Sequence, residues 1–197
     1  MIYSDLSSAL ADGKEYDVLY ADPPWDFSNS NVKYGNGDRA NVKDHYVTMS
    51  QAQLEALPVR DLSADPSVLL IWTTDAHLEF ALALGRAWGF KYATVQFSWC
   101  KLTDTGKVAR VLGPWGLKSV EQCLLFTRGK AHSTLLTSRK ALQYHALPRE
   151  AHSKKPTAIR DVIDTMFVGA RKLELFGRKA SAGWDVFGNQ VDVEPAR

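Results

Sequence analysis

Within four residues, Asp22-Pro23-Pro24-Trp25 bring together a carboxylate, two backbone carbonyls and an indole. They follow the apolar run Val18-Leu19-Tyr20-Ala21, which reads as a buried strand. Consecutive prolines lack N–H donors and fix φ, so they end the strand and hold the chain in one rigid extended geometry. Such a corner suits an exocyclic amine on a flat ring. Asp22 and the Pro23 carbonyl can accept its two hydrogens while Trp25 stacks on the ring. The blander reading is a strand that ends in a Pro-Pro turn, with Asp22 solvated and Trp25 covering the core.

The surrounding pattern supplies elements that could position this corner. Residues 27–43, rich in Asn, Gly and charge, read as a long loop at the strand's carboxyl end, where loops are commonly functional. Thr48 or Ser50 caps a short helix reaching about Leu57, and Pro58 closes it. Residues 67–72, 93–100, 121–127 and 172–176 read as strands, and 75–88 and 156–167 as amphipathic helices, with Ile159, Val162, Ile163 and Met166 inward on the second. Residues 103–117 carry Gly106, Gly113, Pro114 and Gly116 and look too broken for regular structure. Residues 132–155 give mixed signals, with room for a short strand near 134–136. Alternating strands and helices predict a doubly wound, mostly parallel α/β sheet in a single domain over residues 1–197, with ligands at the strands' carboxyl ends.

Composition bounds the partners. Cys100 and Cys123 sit in apolar runs without metal-ligand spacing and read as reduced core thiols, so no metal site and an intracellular, cytoplasmic setting are expected. Residues 1–15 have no apolar signal core, and no stretch approaches the roughly 20 apolar residues of a membrane span, which predicts a soluble protein. The net charge is only +2, yet residues 101–155 hold 11 of the 24 Lys and Arg against three acids, interleaved with Trp115, Tyr144 and three of the five histidines. A local excess of this kind favours a phosphate backbone, and Lys118, Arg139 and Lys140 are its expected contacts.

Several segments in one order resemble the S-adenosylmethionine-dependent adenine-N6 methyltransferases of the MT-A type, which include the catalytic subunit of the eukaryotic mRNA adenosine methyltransferase and bacterial and phage relatives. They are Tyr16 through Trp25, His45-Tyr46-Val47-Thr48-Met49-Ser50, Leu69-Leu70-Ile71-Trp72, Ala87-Trp88-Gly89-Phe90, Glu121-Gln122-Cys123-Leu124, His152-Ser153-Lys154-Lys155-Pro156, Leu173-Glu174-Leu175-Phe176-Gly177-Arg178, and Gly183-Trp184-Asp185 through Gly188-Asn189-Gln190. The resemblance implies a Rossmann-like methyltransferase fold with the catalytic motif ahead of the cofactor motif, and S-adenosylmethionine as cofactor. It places Glu174 and Arg178 by the cofactor's ribose, with Phe176 and Gly177 in the same turn. Asn189 and Gln190 fall near its adenine and ribose, Asp17-Val18 supply backbone contacts to the adenine, and Lys155 and Asp22 sit at its carboxylate and ammonium. Trp25, Tyr46, Trp115 and Glu121 fall on the substrate side.

The chain departs from the family where Lys179-Ala180-Ser181 replaces a His-Asn pair and where Gly113-Pro114-Trp115-Gly116 replaces a Tyr-Trp-Thr-Arg or His-Trp pattern. Methylation of adenine N6 in nucleic acid is the expected activity, with DNA favoured over RNA and a homo- or hetero-dimer allowed. A catalytically dead binding subunit is the alternative from another class, disfavoured by the intact Asp22 and cofactor segments. A nicotinamide dehydrogenase lacks its glycine fingerprint here.

Overall fold

Apolar residues at alternate strand positions build a sheet that is buried on both faces. The computed structural model describes residues 1–26, 48–113, 115–149, 154–177, 179 and 181–188. Its main sheet comprises β1 (Ile2–Tyr3), β2 (Tyr16–Ala21), β3 (Ser63–Thr73), β4 (Lys91–Leu102), β7 (Val120–Arg128), β8 (Tyr144–Pro148), β9 (Lys172–Leu175) and β10 (Trp184–Phe187). The order is β1-β10-β9-β2-β3-β7-β4-β8, and a separate two-stranded hairpin pairs β5 (Val111–Gly113) with β6 (Gly116–Lys118). Every neighbouring pair in the main sheet is parallel except those made by β7, which runs antiparallel to both β3 and β4. This mostly parallel sheet with helices on both faces is the Rossmann-like arrangement anticipated.

Leu19, Leu69, Ile71, Leu124, Phe126, Leu173 and Leu175 face one layer, formed by α1 (Leu6–Ala11), α2 (Gln51–Glu55) and α3 (Leu78–Ala87). Their neighbours Val18, Tyr20, Val68, Leu70, Trp72, Cys123 and Leu125 face the other, with α4 (Ala131–Thr134) and α5 (Thr157–Met166). This period of two places the side chains on either side of the pleat. Ser50 caps α2, accepting from the Gln53 N–H while the Gln53 side chain accepts from the Ser50 N–H. A 3-10 turn, Asp75–His77, leads into α3. Pro156 caps α5 rather than entering it, and Ile159, Ile163 and Met166 form its buried stripe.

The structure corrects two expectations and adds two elements that the sequence did not show. Residues 103–117, taken as irregular, contain the β5 strand and the start of β6. The strand expected near 134–136 is the end of α4 and its cap, and the true strand of that region is β8, whose half-exposed residues gave no apolar run. Residues 1–15 supply β1 and α1, a two-residue strand and a six-residue helix, both too short for periodicity to reveal. Among the described residues no helix is long and apolar enough to cross a membrane, and no cluster of His, Cys, Asp and Glu has metal-binding geometry.

Candidate active site

The carboxyl ends of β2, β3 and β9 and the amino end of antiparallel β7 share one edge of the sheet. Asp22 follows β2 directly, on the pleat face shared with Val18 and Tyr20 and covered by α5. Lys155 precedes α5 and reaches both oxygens of Asp22, at 2.7 and 2.8 Å. The same ammonium lies 3.3 Å from Glu121 at the start of β7, and Glu121 is also paired with Lys101 near the end of β4. The four charges therefore form a chain, Asp22–Lys155–Glu121–Lys101, over a floor of indoles. Lys155 sits 5.8 Å from the Trp72 ring centre and Lys101 sits 5.1 Å from that of Trp99.

Burial opposes the ionised forms here, and partner charges overcome it. Burial works against the Lys155 ammonium, but Asp22 and Glu121 hold its pKa above the ordinary lysine value. Burial likewise pushes Glu121 up, yet Lys155 and Lys101 bring it below the usual carboxylate range. Behind them Cys123 is fully buried. Burial and the Asp22 charge push its thiol well up, so it stays neutral.

A second polar group borders the corner on the β9 side. Glu174 pairs with Arg160 of α5, whose Nη2 lies 3.0 Å from Oε2 and 3.3 Å from Oε1. Burial nonetheless dominates and raises the Glu174 carboxyl to about 7, with Arg160 pulling down and Asp22 adding to the rise. Glu174 Oε2 and Arg160 Nε are buried without a well-aligned hydrogen bond among the described residues. Beyond β9 the backbone turns tightly. Phe176 holds φ +64°, a left-handed conformation uncommon for a bulky residue, and its ring packs edge-on against Phe187. At Gly177 a Cβ would come within 2.6 Å of Val186 and 3.1 Å of Glu174, so only glycine fits between them. The tight turn thus stands beside a buried acid–base pair with hydrogen-bonding capacity that a ligand's hydroxyl groups could use.

The Asp22-Pro-Pro-Trp corner differs from its sequence reading in two respects. Its carbonyls are not free, because that of Pro23 accepts the Trp25 N–H at 2.9 Å and that of Pro24 accepts the Met49 N–H at 3.0 Å. The Pro23 oxygen retains a second lone pair. Trp25 is only 5% exposed, stacked on His77 at 5.6 Å and tilted against Phe80 at 5.0 Å. In this structure its ring braces the corner from the core side, which is the blander reading of that residue, rather than offering a face to a base.

Asp17 and Val18 are not brought to the site. They begin β2, at the opposite edge from Asp22. Both their N–H groups donate to the Arg171 carbonyl, at 2.9 and 3.1 Å, and the Asp17 carboxylate is held by the Arg171 backbone N–H and guanidinium. With those donors spent in the fold, neither residue has a backbone N–H left for the expected contacts to a cofactor adenine. The basic excess of residues 101–155 also divides. Lys118 lies at the site edge, paired with Asp75, but Arg128 ends β7 at the far edge, bonded to the Arg60 and Ser63 carbonyls. Arg139 and Lys140 are exposed between Thr137, tied to the end of α5, and Gln143, tied to the middle of β4, and so lie away from Asp22. Trp115 is exposed at the tip of the β5–β6 hairpin. Tyr46, Arg178, Asn189, Gln190, Pro114 and the loop over residues 27–43 lie outside the described residues.

Sequence reasoning missed Arg160, Lys101 as a partner of Glu121, and Trp72 as the floor. Arg160 and Asp164, charges four apart beside an apolar stripe, were the available signal. They pair with Glu174 and Lys172, respectively, on β9.

Comparison with known proteins fits this geometry to a family. Residues 16–190 match the MT-A70 family model. The chain belongs to the MT-A70 family. A type II methyltransferase, M.MunI, from a Mycoplasma species is 33% identical over 194 residues, spanning 90% of this chain and 78% of that protein. The mouse N(6)-adenine-specific methyltransferase METTL4 is 28% identical over 91% of this chain, and human METTL3, an N(6)-adenosine-methyltransferase catalytic subunit, is 26% identical over 90%. This chain spans only 38% and 28% of those two MT-A70 relatives.

Proposed function

We propose that this protein transfers a methyl group from S-adenosylmethionine to the N6 amino group of adenine in DNA. The observation that carries this reading is the ion-paired Asp22–Lys155–Glu121 chain at the carboxyl edge of the sheet, beside the buried Glu174–Arg160 pair. Membership of the MT-A70 family and identity to enzymes named for the adenine N6 position support the reaction, and the Mycoplasma type II methyltransferase favours DNA as the polymer.

The residues fit the cofactor. Glu174 can accept from ribose hydroxyls. Lys155, whose longest contact is the 3.3 Å one to Glu121, can turn that donor to the methionine carboxylate. When bound, the cofactor supplies an electrophilic methyl on a sulfonium.

Adenine's amino nitrogen is a weak nucleophile because its lone pair is delocalised into the ring, so the site's task is to localise that pair and aim it. Lys155 keeps Asp22 ionised and hence an acceptor only. Asp22 and the second lone pair of the Pro23 carbonyl hold the amino hydrogens, and Asp22 is placed to receive the proton the nitrogen sheds. Trp25, braced by His77 and Phe80, fixes the carbonyl geometry. No covalent enzyme intermediate is required, and the neutral, buried Cys123 thiol is not a nucleophile.

The test is transfer of labelled methyl to DNA and RNA of matched sequence, with nucleoside analysis. N6-methyladenine in DNA is the expected product. Label on RNA alone would change the polymer, and label on another base or on neither polymer would refute the activity.

A further inference from the structure

Five of the six tryptophans are 5% exposed or less, whereas Trp115 is 95% exposed. It stands in the two-residue connection of the β5–β6 hairpin, between Gly113 and Gly116, which pair across the hairpin and carry no side chains to shield the indole. The hairpin rises from the edge that bears the corner. Its chain leaves at Leu102, the end of β4, and returns at Val120, the start of β7 and the neighbour of Glu121. The Lys101 N–H to Ser119 carbonyl bond (2.8 Å) fastens its base, and the Lys118 ion pair with Asp75 (2.7 Å) braces it against the end of β3. Five residues lie between Trp115 and Glu121, which limits their separation to about 20 Å.

Charge on this projection suits a polyanion. Lys107 and Arg110 are exposed on it, and Arg149, whose N–H donates to the Leu102 carbonyl at 3.0 Å, is exposed beside its root. Asp104 is the only acid between Lys101 and Lys118. A two-stranded ribbon is narrow enough to enter the major groove of duplex DNA. An adenine paired inside a duplex must leave its stack to reach Asp22, which opens a gap that an apolar or aromatic wedge can fill.

We propose that the β5–β6 hairpin enters double-stranded DNA beside the target and that Trp115 stacks in the step vacated by the extruded adenine. The inference rests on the adenine-methyltransferase reading above and adds to it a duplex substrate and a positioning role for one residue. Lys107 and Arg110 contact the flanking phosphates, and the glycines let the backbone come close to the bases.

The test compares the full-length wild type, Trp115→Ala and Trp115→Phe on one DNA sequence. That sequence is presented as a duplex, as the same duplex with the target adenine left unpaired, and as a single strand. The wedge predicts that Trp115→Ala lowers kcat/KM on the paired duplex by about tenfold or more and leaves single-strand activity within about threefold. Unpairing the adenine restores part of the loss, and Trp115→Phe keeps most of the duplex activity. Equal losses on duplex and single strand, or no loss on either, would overturn the proposal. So would a change in sedimentation mass between wild type and Trp115→Ala, which would make this apolar ribbon an interface between copies of the chain. Wild-type protein that methylates neither form of DNA would refute the underlying activity, and the wedge with it. That outcome differs from failure of the wedge alone, in which the wild type remains active.

Discussion

Glu174 combines a stability cost with the binding role proposed for it. Its carboxyl has an ordinary value of 4.5 and is raised to about 7 in the folded protein, chiefly by burial. Below that window the group is protonated in both folded and unfolded chains and contributes no pH dependence. Between 4.5 and about 7 the folded protein keeps a proton that the unfolded chain has released, so stability declines as pH rises through the window and stays low above it. Relative to wild type, Glu174→Gln should therefore be more stable at pH 8 than at pH 4.5, by at most about 3 kcal/mol, on top of a pH-independent cost from the lost Arg160 ion pair, read from melting of the ligand-free proteins. Calorimetric titration with S-adenosylmethionine should show weaker binding by the same variant. Cys123→Ala should cost about 1 to 2 kcal/mol, read from denaturant unfolding, and leave turnover within about threefold, because the thiol packs behind Asp22 without taking part. At this scale the sequence singled out Asp22 and Lys155, which the fold brings together, but not their bonding. The resemblance set Lys155 at a cofactor carboxylate, and the structure supplies two carboxylates from within the chain, Asp22 and Glu121. No pattern in the sequence states that residues 22, 121 and 155 meet, since their contact depends on the order of β2, β3 and β7.

Helix α3 and strand β7 meet with no spare volume. A Cβ on Gly85 would fall 2.3 Å from the Phe126 ring, deep in the layer that carries the sheet face opposite α5. Gly85→Ala should cost about 1 to 3 kcal/mol, visible as a fall of roughly 3 to 10 °C in melting temperature, while the cofactor affinity of the folded protein is unchanged. β3, β7, α3 and α5 were legible because each carries a short buried apolar run, residues 68–72 in β3 and 123–126 in β7, or a 3.6-residue stripe. Those that the sequence concealed have physical reasons for it. β1 is two residues long, β8 is half-exposed along its length, and β5 and β6 present apolar residues to solvent. The antiparallel direction of β7 was also hidden, since a buried strand's composition does not record its polarity.

Across the whole molecule the two edges of the sheet have different work. The amino edge is tied by ion pairs, with Arg171 on Asp17, Lys172 on Asp164, and Lys14 and the N-terminus on Asp185. The carboxyl edge carries the charge chain, the Glu174–Arg160 pair and the hairpin. Asp17→Ala should lower stability by about 1 kcal/mol and leave S-adenosylmethionine affinity unchanged within about twofold, since the Arg171 it holds is largely exposed and distant from the corner. A large loss of cofactor affinity in that variant would return the amino end of β2 to the binding site. The basic excess read from residues 101–155 was real in the sequence but is divided by the fold between both edges, because β7 carries Arg128 away from the site that Glu121 begins. In the proposed reaction Asp22, paired with Lys155, presents an adenine amino group for methylation. The most direct test of that role is labelled methyl transfer from S-adenosylmethionine to DNA by wild type and Asp22→Asn, with cofactor binding measured on both and products resolved as nucleosides. The account predicts N6-methyladenine from wild type and a loss of about a hundredfold or more in the variant; a variant that folds, binds cofactor and keeps a tenth or more of wild-type turnover, or a wild-type product other than N6-methyladenine, would contradict it.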